Sequence, residues 1–228
     1  MNRTLASALA SLAVTALPAA AAAHVDVASG PGFAGKSQVI TFAVGHGCEG
    51  ADTSSVRIEL PPEVSSVRAV PSEFGAVAVE RDASDRVVAV TWTKPDAELL
   101  PQDEAYYTLA LRIGVPNAPF STIYFPTRQI CKRADGTTLS TDWIARPGEE
   151  GEPAPGLRIV PARVPGWNRM TVPSAIDSLE SFFADAQIVW RGEAAFSSNE
   201  HTAAQIAATP GVSALSSLAA GDEIWVKY

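Results

Sequence analysis

Three histidines and two cysteines, together with a run of small residues near the start, carry most of the chemistry this sequence can offer. The histidines are His24, His46 and His201; the cysteines are Cys48 and Cys131. His24 directly follows Ala21-Ala22-Ala23, a small-residue pattern of the kind cut by signal peptidases. Cutting there makes His24 the first residue. Such a histidine offers two nitrogens, its α-amine and its imidazole Nδ1, which together can close a chelate ring on one metal ion. An α-amine has a pKa of about 8, so a divalent cation can displace its proton at neutral pH. Nitrogen ligands in a flat arrangement suit Cu(II), which also heads the divalent affinity order. The plainer alternative is an ordinary solvated chain start. Cleavage after Ala20 or Ala22 would also leave small residues at the key positions, and neither cut frees the amine of His24.

The rest of the leader agrees with export. Arg3 supplies a positive start and Leu5 to Leu17 an apolar core, so residues 1–23 read as a cleaved signal peptide. That core is too short to span a bilayer, and no later run reaches the ~20 apolar residues a membrane helix needs. The mature chain is therefore expected in the periplasm or secreted, without membrane insertion; a retained N-terminal anchor is the alternative. In an oxidising compartment, Cys48 and Cys131 read as a disulfide, stabilising by roughly 4 kcal/mol in the loop-entropy model. The rival is a thiolate pair for a soft metal. Losing Arg3 takes the net charge from −8 to −9, which argues against nucleic acid or anionic lipid as a partner.

Other chemistries find little support. Gly30-Pro31-Gly32-Phe33-Ala34-Gly35 fits G-x-G-x-x-G by letter, but it lacks the strand before and the helix after that a nucleotide site requires. There is no G-x-S-x-G elbow and no H-E-x-x-H motif. Acidic residues are plentiful enough for a glycosidase pair, yet none is singled out.

The elements that must position these residues are mostly strands. Short β-type runs occur at Lys36–Val44, Ser55–Leu60, Val64–Val70, Ala76–Arg81, Val87–Thr93, Tyr106–Val115, Thr122–Ile130 and Ser140–Ala145, punctuated by prolines. Val56-Arg57-Ile58-Glu59-Leu60 alternates with one wet and one buried face, whereas the run through Val39–Val44 is apolar on both sides. Many short strands with turn residues between them imply an antiparallel β-sandwich over residues 24–163. Residues 146–156 (RPGEEGEPAPG) read as a loop, and Leu157–Val160 as one more strand. Residues 167–228 read as a small α+β module of unassigned role. Pro173 is placed to start a helix running through Ile176, Leu179, Phe182, Phe183 and Ala186. Gln187–Arg191 and Glu223–Lys227 read as strands, and Thr202–Ala208 and Val212–Ala219 as short helices. Trp167, Trp190 and Trp225 imply a packed core or a docking face, and His201 lies near a helix start with no assigned role.

His24-Val25-Asp26-Val27, Gly47-Cys48-Glu49-Gly50 and Thr53-Ser54-Ser55-Val56-Arg57 resemble the YcnI-like copper-binding family. So do Val90-Thr91-Trp92, Ile123-Tyr124-Phe125-Pro126, Gln129-Ile130-Cys131, Asp142-Trp143 and Pro153-Ala154-Pro155, in the same order over residues 24–160. The resemblance implies an immunoglobulin-like or cupredoxin-like sandwich bearing a mono-histidine brace. In such a brace the N-terminal histidine holds Cu(II), a carboxylate adds an oxygen and a tryptophan lies beside the metal. Carried over by position, these are His24, Glu49 with Asp52 as the fallback, and Trp143 as a weak or outer contact. His46 lies close enough in sequence to be a further ligand. Two departures stand out: Phe74-Gly75 replaces a glycine-tryptophan pair, and the acidic module replaces the membrane anchor with which many members end.

Three functional classes follow. The first is an exported Cu(II)-binding protein for buffering, trafficking or hand-over to periplasmic copper chaperones or a membrane copper importer. The second is a copper-dependent oxidative enzyme of the polysaccharide-monooxygenase type, which needs a second histidine on the metal. The third is a metal-free adhesion or envelope-assembly module. The first is favoured because no matching motif carries a second histidine, and transport needs no open position for oxygen.

Overall fold

The computed structural model describes residues 24–228; the leader and the bond before His24 lie outside the described residues. The first part is built from β1 (Val25–Val27), β2 (Gly32–Phe33), β3 (Ser37–Val44), β4 (Asp52–Glu59), β5 (Ser65–Ala69), β6 (Ala76–Arg81) and β7 (Val87–Thr93). It continues with β8 (Tyr107–Gly114), β9 (Ser121–Tyr124), β10 (Thr127–Lys132), β11 (Thr138–Ala145), β12 (Glu152–Pro153) and β13 (Gly156–Val160). One sheet runs β1-β3-β8-β5, a second β12-β11-β10-β4-β7-β6, and a third, β2-β13-β9, is smaller. The expected β-sandwich is therefore present.

Its core follows the period of two. Val56, Ile58 and Leu60 point inward from β4 and its end, while Arg57 turns out to bond Glu80 at 2.9 Å. Ile40, Phe42 and Val44 face them from β3, with Leu109, Leu111 and Ile113 from β8. Phe42 meets Phe125 edge-on at 5.2 Å. Burying each such side chain contributes about 1.5–3 kcal/mol. The two-sided reading of β3 holds only in part: Ala43 is buried, but Val39 is half-exposed on the outer face. The expected run Thr122–Ile130 is two strands, because Pro126 cannot donate a ladder bond; β9 joins the small sheet and β10 the large one. The loop over 146–156 keeps its turns but includes β12, parallel to β11.

The C-terminal part has β14 (Trp167–Thr171), α1 (Glu180–Phe183), β15 (Ile188–Arg191), β16 (Ala194–Phe196), α2 (Glu200–Ala208), β17 (Ser213–Ala214) and β18 (Glu223–Lys227). Its sheet order is β14-β18-β15-β16-β17. The helix expected from Pro173 to Ala186 shrinks to the single turn of α1. The apolar spacing there is real, since Ile176, Leu179, Phe183 and Ala186 are all buried. However, Ile176 spends both backbone groups on Leu218, at 2.8 and 2.9 Å, which a helix would need for itself. The same bridge, with β17, replaces the helix expected over Val212–Ala219. By contrast α2 forms where Thr202–Ala208 predicts it, with the Asn199 side chain accepting from the Thr202 N–H. Trp167 and Trp225 lie half-exposed outside the module's core, Trp225 opposite Trp190 in register.

Phe120 joins the two parts. It leaves the sandwich just before β9 and is buried among the module's apolar residues, with ring centroids 5.8 Å from Phe182 and 5.5 Å from Phe183. Arg163 adds a second contact, lying 5.0 Å from the Phe33 ring and 4.1 Å from that of Tyr228. Phe120→Ala is expected to destabilise the protein by about 3 kcal/mol, the usual cost of emptying a buried phenylalanine site. Denaturant unfolding measures it, and a loss below about 0.5 kcal/mol would mean that the contact holds nothing together.

Candidate functional site

The chain enters the sandwich along an edge. Strand β1 pairs antiparallel with β3, Val25 opposite Val44, so His24 and the residues just after Val44 come to the same end of the sheet. Val25 is 1% exposed and anchors this pairing, while His24 and His46 are only half-buried.

Both imidazoles lie against one indole. The ring of His24 is 5.9 Å from that of Trp143 and the ring of His46 is 6.5 Å from it. Trp143 sits on β11 opposite Thr127 of β10 and is 3% exposed. Its indole N–H donates to Gln129 Oε1 at 3.0 Å. Gln129, fully buried, turns its amide N–H groups to the His46 carbonyl at 2.6 Å and to Thr53 Oγ1 at 2.8 Å. One enclosed amide thus fixes the plane of the tryptophan and the backbone of a histidine.

The loop after β3 is shaped by its glycines. Cys48 and Ala51 exchange backbone hydrogen bonds at 3.2 and 2.9 Å across Glu49-Gly50, both of positive φ. Positive φ at both central residues makes this a tight hairpin turn that favours glycine at its second position. At Gly47 a Cβ would stand 1.7 Å from the Ala51 carbonyl oxygen, so no other residue fits. Cys48 is bonded to Cys131, which ties the loop to β10 and rules out the thiolate-pair alternative.

Both expected carboxylates have partners of their own. Glu49 occupies the tip of the turn, largely exposed, and pairs with Arg133 at 3.1 Å. Arg133 lies just past the end of β10. Asp52 is completely buried and takes Lys94 Nζ at 2.8 Å, the Tyr107 hydroxyl at 2.7 Å and the Leu100 N–H at 2.8 Å. Burial pushes the Asp52 carboxyl up, but the bonds from Lys94, Leu100 and Tyr107 outweigh it and hold it below the usual carboxylate range. Asp52 is therefore committed to the fold. A carboxylate that approaches His46 is that of Asp103, whose Oδ2 lies 3.9 Å from His46 Nδ1. Asp103 belongs to an irregular loop, and no pattern in Pro101–Ala105 marks it; its backbone N–H is held by the Gly50 carbonyl at 3.1 Å. Among the described residues no three or more His, Cys, Asp or Glu gather as a metal cluster. His201 is exposed in the first turn of α2, remote in sequence from these contacts.

Asp52→Asn leaves the buried Lys94 charge uncompensated and is expected to cost about 3–5 kcal/mol. Because the folded-state pKa of Asp52 is depressed, its contribution is present above the unfolded value of about 3.9 and disappears as pH falls through the folded value. The stability gap between wild type and Asp52→Asn should thus be constant above about pH 5 and narrow in acid. Urea titrations at several pH values measure it, and a gap that widens in acid would contradict this role.

The chain bears on known proteins as follows. No curated protein matches it. It is similar to a protein of Nocardia farcinica with an immunoglobulin-like fold, at 29% identity and a TM-score of 0.50, over 60% of this chain and 98% of that one. The major pilin subunit of Bacillus cereus aligns at 11% identity and a TM-score of 0.37, over 66% of this chain and 42% of that one. No described helix is long and apolar enough to cross a membrane. The family profile for the domain of unknown function DUF1775 matches residues 24–159, and the chain belongs to that family, which includes the YcnI-like proteins.

Proposed function

We propose that this is an exported protein that holds Cu(II) at His24 once the chain is cut before that residue, and that it buffers copper or passes it on. The observation that carries this reading is the His24 imidazole beside the indole of Trp143, at 5.9 Å. The donor chemistry suits the ion: a freed α-amine and Nδ1 are two nitrogens from one residue, and Cu(II) favours nitrogen ligands. His24 stands half-buried at the head of an edge strand. The disulfide is in keeping with an oxidising compartment. Bound copper would supply the Lewis acidity and charge to be carried; the protein's own part is to orient the ring and shield one side of it with an apolar indole.

A second reading, a copper-dependent oxidative enzyme, is favoured by one observation: His46 lies against the same indole. Oxygen consumption with a reductant and a polysaccharide separates the two, since a buffer turns over nothing.

Titration with Cu(II) tests the proposal. The chain starting at His24 is expected to bind one Cu(II) at least a hundredfold more tightly than the chain extended by one residue, because that extension turns the amine into a peptide nitrogen. The loss of a strong chelating nitrogen is worth about 2.7 kcal/mol at that ratio. Equal affinities for the two chains would overturn it.

A further inference from the structure

Resting on the copper reading, we infer that His46 is the second imidazole of the site, the feature that the oxidative variant requires, and that Asp103 is the residue that positions it. Among the described residues, the polar contacts of the His46 ring fall on Nδ1. Nδ1 is bonded to the Gly47 carbonyl oxygen and lies 3.9 Å from Asp103 Oδ2. A carbonyl and a carboxylate on that side favour the tautomer carrying its proton on Nδ1, which leaves the lone pair on Nε2. A metal-binding histidine is commonly arranged this way, with one nitrogen bonded to a carbonyl or carboxylate and the other offered to the ion.

The surroundings hold this arrangement in place. The His46 carbonyl is bonded by the buried Gln129 amide that also fixes Trp143, so the histidine and the indole are positioned by the same side chain. The Asp103 side chain is 15% exposed against 39% for His46, which places the carboxylate behind the ring. The backbone of Asp103 is tied to Gly50, within the loop that the disulfide secures. Two histidines, one of them supplying its amine as well, would give three nitrogens. Asp103 acts through His46, as an orienting acceptor.

The experiment is pulsed EPR on the Cu(II)-loaded protein beginning at His24, alongside His46→Ala and Asp103→Asn, with competitive Cu(II) titration of each. Wild type is expected to show two coupled imidazoles and His46→Ala one. Asp103→Asn should keep two, with affinity lower by about tenfold, as for other outer partners of metal-bound histidines. Unchanged near-ultraviolet circular dichroism of the metal-free variants shows that they fold; His46→Ala keeps the backbone carbonyl that Gln129 bonds. A single imidazole in wild type, unchanged in His46→Ala, would overturn the inference while leaving copper binding at His24 intact. Failure of the copper reading looks different: wild type would then bind Cu(II) no better than the chain extended by one residue.

Discussion

The amide of Gln129 is the contact on which the rest of the site depends. It is fully enclosed, and its three hydrogen bonds reach the Trp143 indole, the His46 carbonyl and the Thr53 hydroxyl. A buried amide left unsatisfied costs about 1–3 kcal/mol per group, so these partners cannot drift independently. Strands β4, β10 and β11 and the end of β3 are thereby locked at one corner of the sandwich. The corner is also where β1 begins, because β1 pairs antiparallel with β3. His24 is thus delivered to the Trp143 indole by sheet register, with no loop of its own.

The loop after β3 works by exclusion. Gly47 admits no side chain, the Glu49-Gly50 turn reverses the chain at once, and the disulfide pins the turn to β10. The acid at position 49 is carried outward to Arg133, while the acid at position 52 is drawn into the core by Lys94 and Tyr107. Both carboxylates named from the resemblance have partners of their own, and Asp103, marked by no pattern, lies 3.9 Å from His46.

Much of the fold was legible. The alternation in Val56–Leu60 depends only on the period of the pleat, and two cysteines have one pairing available. What misled was apolar spacing in the C-terminal module. Ile176, Leu179, Phe183 and Ala186 recur as on a helix and all are buried, yet spacing records burial and not backbone bonding; the partner of Ile176 is Leu218, far along the chain. The rings of His24 and Trp143, both named from the family resemblance, lie 5.9 Å apart. Gln129 stood in the sequence only as a landmark, since a lone glutamine carries no sign of its partners. Asp103 was invisible because loop contacts across some fifty residues leave no local pattern.

The proposed copper site requires a free amine at His24, so where the mature chain starts tests it most directly. N-terminal sequencing of the mature chain recovered from outside the cytoplasm should read His-Val-Asp-Val from the first cycle. A chain that begins at Ala23, or earlier, would keep the indole and both imidazoles but bury the amine in a peptide bond, and would contradict the proposed copper site.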